Sequence, residues 1–324
     1  MALFRGNKAY DRLKSPGEQA LVRFLGKVAA CMKACDDARF CCFFNALNMK
    51  LTKLHSLVGL AALLLTTGCT AKQPSSCTDH FEQGQAPVIT NPNLAKKTTM
   101  LCFEGYAVMH SGISRTPLWS AEHLTAQRIE DAQQLKRVNS FHAEEQLPTA
   151  DRAELVDYVR SGFDLGHMAP NGDMPTTKAQ YESFSLANMI PQHPKNNQIL
   201  WEGIEETARN MAREDKDIYV VTGPIFEGSN LERLNGRVLV PTFVFKAIYD
   251  PVRKQAAAYV TPNAPGMAYQ TLSIAELEMR VGMNVFPKLP AEIKAVKMNL
   301  PVPRPHGGRG GKNKPVEVDS FERQ

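Results

Sequence analysis

A histidine and three glycines share a short turn-rich stretch near the middle of this 324-residue chain. The stretch GFDLGHMAPNGD, residues 162–173, places His167 directly after Gly166 and shortly after Asp164. A general base needs a pKa near neutrality, a fixed tautomer and access to its substrate, and a histidine in a turn can meet these needs. We expect Gly166 to let the backbone bend and Asp164 to hold the turn by hydrogen bonds. The alternative is a structural loop histidine.

A second polar cluster follows in NMIPQHPKNNQILWEGIEE, where Asn196 and Asn197 stand at the start of a helix predicted over 196–213. Exposed N–H groups at a helix start favour a phosphate, so Asn196 is a candidate for supporting the substrate. Glu205 follows Asn197 by eight residues. At about 100° per residue the two side chains end about 80° apart, so both can face one cleft. Helix capping and a solvated carboxylate are the alternatives.

An amide and a single carboxylate are a poor ligand set for zinc. They suit Mg²⁺, which keeps several waters and takes further oxygens from a substrate phosphate. Mn²⁺ or another divalent cation is the alternative. A histidine base beside a water-rich Mg²⁺ indicates hydrolysis of a phosphodiester.

The elements that must position these residues can be outlined from the sequence. Paired strands are predicted over 105–111 and 117–125, with Arg115 in the turn between them, and a charged surface excursion follows over 126–160. Apolar segments at 217–226, 238–249 and 256–260 predict further strands. Ser273 and Glu276 form a capping box that opens a short helix, and Gly282 ends it.

The net charge of +5 points to no partner, because residues 1–69 hold ten Lys and Arg against four Asp and Glu. The remaining 28 basic and 29 acidic residues leave residues 70–324 at −1. Any anionic ligand must therefore be bound by a local arrangement. Residues 70–100 are polar and rich in turn residues, which predicts a tether leading into the domain, and the Pro/Gly-rich residues 301–324 predict a disordered basic tail.

Residues 49–69 have the pattern of a signal peptide, with Lys50 and Lys53 before the apolar run 57–65 and small residues at its end. The run is too short to span a bilayer. We expect Met49 to be the true start and residues 1–48 to be a leader or a spurious extension. Cys69 follows LLLTTG, which resembles a lipoprotein box, and cleavage after Ala71 is the alternative. The expected location is the periplasm, the outer membrane or cell surface, or the exterior.

The exported part has two further cysteines, Cys77 and Cys102. Their pairing would close a loop of about 26 residues and stabilise the fold by on the order of 3 kcal/mol in an oxidising compartment.

Four segments together resemble a known family. DLGHMAP, NMIPQHPKNNQILWEGIEE, VVTGPIF and VPTFVFKAIYD occur in this order between about Cys102 and Pro287. They resemble the DNA/RNA non-specific endonucleases, which are ββα-metal (His-Me finger) nucleases. The resemblance implies an α+β fold over residues 101–300, with a central antiparallel sheet flanked by helices and a ββα-metal finger. It also implies DNA and RNA as substrates, water as the nucleophile and 5′-phosphate ends. It implies nothing about an oligomeric state.

The resemblance also implies roles for individual residues. His167 matches the general base, Asn197 the metal-ligating asparagine, and Glu205 the acid that holds a metal-bound water. Asn188 matches the asparagine that supports the histidine turn. Two basic residues match phosphate contacts: Arg209 on the helix, and Arg115, expected to reach the scissile phosphate from the preceding hairpin.

One position departs from the family pattern, because Leu165 stands where the D-R-G-H motif has arginine. Loss of a contact that stabilises the transition state can cost about 10²-fold in rate. The rival hypothesis is therefore an exported lipoprotein that binds nucleic acid through the nuclease fold without cutting it. His193, in a nearby loop, is an alternative candidate for the base.

Overall fold

The computed structural model describes residues 77–306 and 314–321. The predicted leader 1–48, the signal peptide 49–69 with Cys69, and Ala71 lie outside the described residues. Within the described ranges, no helix is both long and apolar enough to cross a membrane.

An eight-stranded sheet forms the centre of the fold, in the order β14-β12-β11-β10-β7-β4-β3-β2. Adjacent strands of this sheet pair antiparallel, except that β12 and β14 pair parallel. Its strands are β2 (Thr98–Cys102), β3 (Ala107–Ser111), β4 (Thr116–Thr125), β7 (Asp217–Ile225), β10 (Phe243–Asp250), β11 (Gln255–Pro262), β12 (Ala268–Leu272) and β14 (Val316–Glu317). Three smaller two-stranded sheets join β1 (Val88–Ile89) to β13 (Met283–Asn284), β5 (Asp164–His167) to β6 (Met189–Gln192), and β8 (Arg233–Leu234) to β9 (Val238–Leu239).

Helices cover both faces of the central sheet, which is why its inner strands are apolar on both sides. The helices are α1 (Ala126–Gln133), α2 (Leu155–Tyr158), α3 (Thr177–Ser183), α4 (Glu202–Asp215), α5 (Ile274–Val281) and α6 (Ala291–Ala295). On one face Ile204 and Ala208 of α4 pack with Ile248 of β10. On the other face Leu277 of α5 packs with Trp119 and Phe245. The sheet is thus the middle layer of three.

The ββα-metal finger predicted from the sequence is confirmed. β5 and β6 pair antiparallel with Gly166 opposite Ile190 and His167 opposite Met189. A π-helical turn, Asn196–Trp201, follows β6 and runs directly into α4. Gly166 is required by close approach, because a Cβ there would lie 2.1 Å from Oε1 of Gln192.

Local signals predicted several elements correctly. The hairpin of β3 and β4 turns at Arg115, whose φ is +57°. Ser273 caps α5 by accepting a hydrogen bond from the Glu276 amide, and the Glu276 carboxylate accepts one from the Ser273 amide. Gly282 ends this helix in the left-handed conformation at a φ of +65°. The excursion 126–160 is less irregular than expected, because it contains α1 and α2.

The predicted tether is wrong for residues 77–100. Phe81 is buried in the core beside Trp119, with ring centroids 6.0 Å apart. The disulfide between Cys77 and Cys102 joins this segment to the end of β2, with the Cα atoms 5.5 Å apart. Apolar burial and a cross-link therefore make this segment part of the domain.

The predicted disordered tail is wrong for the described parts of residues 301–324. β14 extends the sheet by pairing with β12, and Phe321 packs on Phe243 with centroids 5.4 Å apart. Residues 301–306 cross the helix that follows the finger. There the His306 amide donates to the Ile199 carbonyl at 3.1 Å, and a Cβ on Gly203 would lie 2.4 Å from the Arg304 carbonyl oxygen.

Candidate active site

His167 is the last residue of β5, and the Asn188 side chain binds the backbone that follows it. The Asn188 side chain is fully buried, and its Oδ1 accepts hydrogen bonds from the Ala169 amide at 3.0 Å and the Ser120 hydroxyl at 2.8 Å. Its Nδ2 donates to the carbonyls of Ala169 and Ser183. Both polar atoms of this amide bond to the backbone of Ala169, two residues after His167, and they also tie that backbone to Ser120 and Ser183.

The imidazole of His167 is more enclosed than the sequence suggested. It is 9% exposed and lies against Phe184 at 5.0 Å and Phe141 at 5.7 Å between ring centroids. Its Nε2 is buried and has no hydrogen-bond partner among the described residues. Burial first, and then the positive charge of Arg137, lower the pKa of His167 from 6.5 to about 3. The ring is therefore neutral near pH 7, with a nitrogen that no protein group occupies.

Asp164 fixes the side chain of Asn197. Its Oδ2 accepts hydrogen bonds from Asn197 Nδ2 at 2.9 Å and from Gln198 Nε2 at 2.8 Å. An ionised carboxylate only accepts, so the Asn197 atom that faces it must be the NH₂ group. The amide oxygen of Asn197 is therefore directed away from Asp164. The turn aspartate acts on the second cluster rather than on its own turn.

Asn197 lies in the π-helical turn and Glu205 on α4. The Glu202 amide donates to the Asn197 carbonyl, which is the i to i+5 bond of a π turn. Each residue of such a turn rotates by less than the α-helical angle. The angular separation between Asn197 and Glu205 is therefore smaller than the about 80° expected for a regular helix. π turns are often found at functional sites.

Glu205, on α4, lies in a charged environment. Burial raises its pKa to about 7, and the nearby cations Lys246 and Arg209 oppose this effect. Lys246 is itself buried in the sheet and donates to the Thr222 hydroxyl at 2.7 Å. The carboxylate thus changes charge near neutrality when no cation is bound.

Arg209 lies one helical turn after Glu205. Its Nη1 donates to the buried carboxylate of Asp173 at 3.0 Å, and its Nε donates to Glu206 at 2.8 Å. Burial would lower the pKa of Arg209, but the carboxylates of Asp173 and Glu205 outweigh it and raise the pKa. The guanidinium is therefore a fixed cation that links the loop after His167 to the helix.

Asn196 does not support the substrate as predicted. The side chain is 1% exposed, its Oδ1 accepts from Gln192 at 2.8 Å, and its Nδ2 donates to Thr261 at 3.2 Å. The backbone amides of Asn196 and Asn197 both donate to the His193 carbonyl. The helix start therefore offers no free amide at these two positions, and Asn196 instead joins β6 to β11.

Arg115 was predicted to contact the scissile phosphate, but in this structure its guanidinium binds backbone carbonyls. Its Nε and Nη2 donate to the Ala150 carbonyl at 3.1 and 2.9 Å, and its Nη1 donates to the Arg237 carbonyl at 3.1 Å. The guanidinium is thus committed to holding loops together.

The cation that the structure brings to His167 is Arg137, which sequence reasoning missed. Its guanidinium lies 5.4 Å from the Phe184 ring centroid, and its charge lowers the pKa of His167. Among the described residues no carboxylate forms a salt bridge with it. Arg137 comes from the excursion 126–160, which the sequence marked only as charged surface. The basic pair Lys136-Arg137 ahead of Phe141 was the available signal.

Two further residues are placed by the structure. Leu165 pairs with Pro191 and packs, as Phe141 does, against the buried cluster that contains Met189, so it adds to the apolar surroundings of the histidine strand. His193 is part of a local loop, where its Nδ1 accepts from the Lys195 amide at 3.2 Å. That hydrogen bond makes His193 the weaker candidate for the base.

The donor set fits a hard divalent cation. Asn197 presents an amide oxygen whose orientation is set by Asp164, and Glu205 supplies a carboxylate on the same helical segment. No group of three or more His, Cys, Asp or Glu suited to a metal occurs within the described ranges, so a thiolate or imidazole cage for zinc is lacking there. One or two protein oxygens with water and phosphate completing the shell is the usual arrangement for Mg²⁺.

Comparisons with known proteins agree with this arrangement. Residues 84–292 match the family described as DNA/RNA non-specific endonuclease. The mitochondrial nuclease EXOG of Danio rerio is 32% identical over 208 residues, which cover 58% of this chain and 60% of that protein. Nuclease C1 of Cunninghamella echinulata is 33% identical over 206 residues, which cover 57% of this chain and 82% of that protein.

A solved structure supports the fold. The complex of EndoG with EndoGI contains a chain that superposes with a TM-score of 0.52 at 24% identity, covering 60% of this chain and 88% of that one. The family match spans more than half of the chain and contains the finger with His167, Asn197 and Glu205. This chain belongs to the DNA/RNA non-specific endonuclease family.

Proposed function

We propose that this chain is a divalent-metal-dependent, sugar-non-specific endonuclease that hydrolyses phosphodiester bonds of DNA and RNA and leaves 5′-phosphate ends. The observation that carries the proposal is the neutral His167 with an unpartnered Nε2, on the same finger as the oriented amide oxygen of Asn197. The named nuclease relatives support the reaction class.

His167 is the general base of the proposed reaction. Its Nε2 takes a proton from water, the water oxygen forms a bond to phosphorus, and the bond from phosphorus to the 3′-oxygen breaks. The leaving oxygen is then protonated from solvent. Because Nε2 is covered in this structure, the proposal requires Phe141, a partly buried ring on the excursion, to move aside when substrate binds.

Asn197 and Glu205 would hold the cation, with Mg²⁺ the ion that the donor set suits best and Mn²⁺ an alternative. When bound, the ion supplies Lewis-acid stabilisation of the charge that develops on the phosphate and the leaving oxygen. Asp164 orients Asn197 for this purpose, as outer partners of metal ligands commonly do.

Phosphate contacts explain why both sugars are accepted. Arg137, whose charge acts on His167, and Arg209, whose charge acts on Glu205, are the cations proposed to contact the phosphate, and backbone phosphates are common to DNA and RNA. Water attack needs no ribose 2′-OH. Low sequence preference follows because no base edge is required.

A cleavage assay tests the proposal. Protein lacking residues 1–71 is incubated with plasmid DNA and with RNA, in Mg²⁺ and in EDTA. We expect both substrates to be cut in Mg²⁺ only, His167→Ala to be inactive and His193→Ala to retain activity. No cleavage with any divalent cation would overturn the proposal. Binding without cleavage would instead support the rival hypothesis, which the apolar Leu165 favours.

We propose that this enzyme is exported and that it is lipidated at Cys69. Support comes from the signal pattern of residues 49–69 and from the Cys77–Cys102 disulfide, which suits an oxidising compartment. Labelling of the wild type with a radioactive fatty acid, and loss of the label in Cys69→Ala, is the expected result. Unlabelled wild-type protein with an N-terminus after Ala71 would contradict lipidation.

A further inference from the structure

An aromatic pair lies at the surface beside the candidate active site. The rings of His142 and Tyr181 stack with centroids 4.4 Å apart and planes 7° from parallel. Tyr181 is 52% exposed even though it is one of the large aromatic side chains of the domain. His142 is fixed by its Nδ1, which is 2.8 Å from the Ser140 carbonyl oxygen. The pair is therefore an ordered aromatic surface that solvent reaches.

Phe184 connects this pair to the candidate base. Tyr181 lies on α3, and Phe184 follows one turn later, on the same side of the helix. The Phe184 ring packs edge-on against His167 at 5.0 Å. The backbone of His142 also bonds to this segment, because its amide donates to the Phe184 carbonyl and its carbonyl accepts from Leu186. The aromatic pair and Phe184, which forms one wall of the histidine site, are thus joined by backbone hydrogen bonds into one unit.

Arg137 places a cation on the same unit. Its guanidinium lies over the Phe184 ring, its side chain is exposed, and its Nε donates to Asn139 at 2.8 Å. An exposed guanidinium without a carboxylate partner in the described chain can bind a phosphate oxygen through its remaining N–H groups. A phosphate at Arg137 would set its attached sugar and base near the aromatic pair.

We propose that His142 and Tyr181 form a stacking subsite for one nucleobase, next to the phosphate bound at Arg137. This inference rests on the proposed nuclease function and names its preferred substrate class, single-stranded nucleic acid. A base inside a duplex has both faces covered by its neighbours, so it must leave the stack before a side chain can cover it. Single strands and frayed ends offer such bases without that cost, and stacking on aromatic side chains is tolerant of sequence.

The chain contains a matched control. His123 and Tyr219 stack at 4.3 Å with planes 6° apart, but Tyr219 packs against the core on the other face of the sheet. The ring of His123 is hydrogen-bonded to Asp217. Tyr219→Leu therefore removes an equivalent ring pair far from the finger.

Binding without cleavage tests the subsite. Fluorescence anisotropy in EDTA compares a labelled deoxyadenosine dodecamer with an abasic dodecamer of the same charge. Tyr181→Leu should weaken binding of the deoxyadenosine strand by about fivefold or more, since one base stack contributes about 1–3 kcal/mol. Binding of the abasic strand should not change. Tyr181→Phe and Tyr219→Leu should bind both strands as the wild type does, and thermal unfolding checks that every variant is folded.

The outcomes separate the subsite from the nuclease function. An equal loss on the two strands, or no loss on either, would overturn the stacking subsite even if the wild type cuts DNA in Mg²⁺. If the wild type cuts neither substrate, but Tyr181→Leu still loses binding of the deoxyadenosine strand alone, the subsite is retained and the nuclease function is overturned. Quenching of a 2-aminopurine strand by wild type and by Tyr181→Phe, and weaker quenching by Tyr181→Leu, is the second expected readout.

Discussion

Asp164 and Asn197 are joined by a hydrogen bond of 2.9 Å between residues that lie 33 positions apart in the chain. The first is the opening residue of β5 and the second lies in the π-helical turn before α4. The bond orients the amide, because the carboxylate can accept only from the NH₂ group. The two polar clusters of the sequence are therefore parts of one arrangement.

Asp164→Asn should weaken metal binding. An asparagine can donate as well as accept, so the Asn197 amide would no longer have one preferred orientation. Loss of an outer partner commonly costs about 10 to 100-fold in metal affinity or activity. The Mg²⁺ concentration for half-maximal cleavage should rise accordingly. Gln198→Ala, which leaves the Asp164–Asn197 bond in place, should change it little, and an equal rise in both variants would contradict this account.

Two carboxylates on one guanidinium should differ in their effect on stability. Asp173 is 3% exposed and Glu206 is 46% exposed, and both bond to Arg209. Breaking a buried pair costs about 3–5 kcal/mol, whereas exposed pairs contribute about 0–1 kcal/mol. Asp173→Asn should therefore lower the free energy of unfolding in a urea titration far more than Glu206→Gln. Similar losses would show that burial does not govern this cluster.

Replacing Arg137 or Arg115 by alanine should have different effects, the first on catalysis and the second on stability. Arg137→Ala should reduce kcat/KM for DNA by about 10²-fold, as loss of a contact to the reacting phosphate does, with little change in the melting temperature. Arg115→Ala should instead lower the melting temperature, because it removes charged hydrogen bonds to the Ala150 and Arg237 carbonyls. Steady-state kinetics and calorimetry on both variants decide, and the reverse pattern would restore Arg115 as the phosphate contact.

Acid should destabilise the fold through His80. Burial, partly opposed by a hydrogen bond to the Phe103 carbonyl, lowers the pKa of His80 from 6.5 to about 4. The unfolded chain therefore binds the proton first, and stability falls as the pH falls from about 6.5 to about 4. From about pH 7.5 to about pH 4.5 this group should cost about 2 kcal/mol.

The check is chemical denaturation of the wild type and His80→Gln at both pH values. The glutamine does not titrate, so the wild type should lose more stability on acidification than the variant. His306→Gln, at a side chain that is 67% exposed, is the control and should follow the wild type. A wild type and His80→Gln with equal pH dependence would assign the acid sensitivity to other groups.

The parts of the fold that sequence predicted well depend on neighbours in the chain. The capping box of Ser273 with Glu276 and the left-handed Gly282 are local, so their residue types are sufficient. The segments that contain His167 and Asn197 could be compared with a family for the same reason. A contiguous motif keeps the order and spacing of its residues.

The parts that failed depend on long-range contacts. Arg115 and Arg137 precede His167 by 52 and 30 residues, and only the carbonyls around the first and the Phe184 ring near the second distinguish them. Asn196 looked like a helix start that faces solvent, but Thr261, which is 65 positions away, binds its side chain. No local pattern reports such partners.

The contact between Gly203 and the Arg304 carbonyl determines where an expression clone of this domain should end. Family similarity ends at residue 292, yet the strand of backbone at 301–306 lies directly on the helix that carries Glu205. An expression clone that stops at the similarity boundary would leave Gly203 and the Ile199 carbonyl uncovered in the segment that joins Asn197 to Glu205. The folded nuclease domain therefore extends beyond the similarity boundary, and a minimal clone should extend at least through His306.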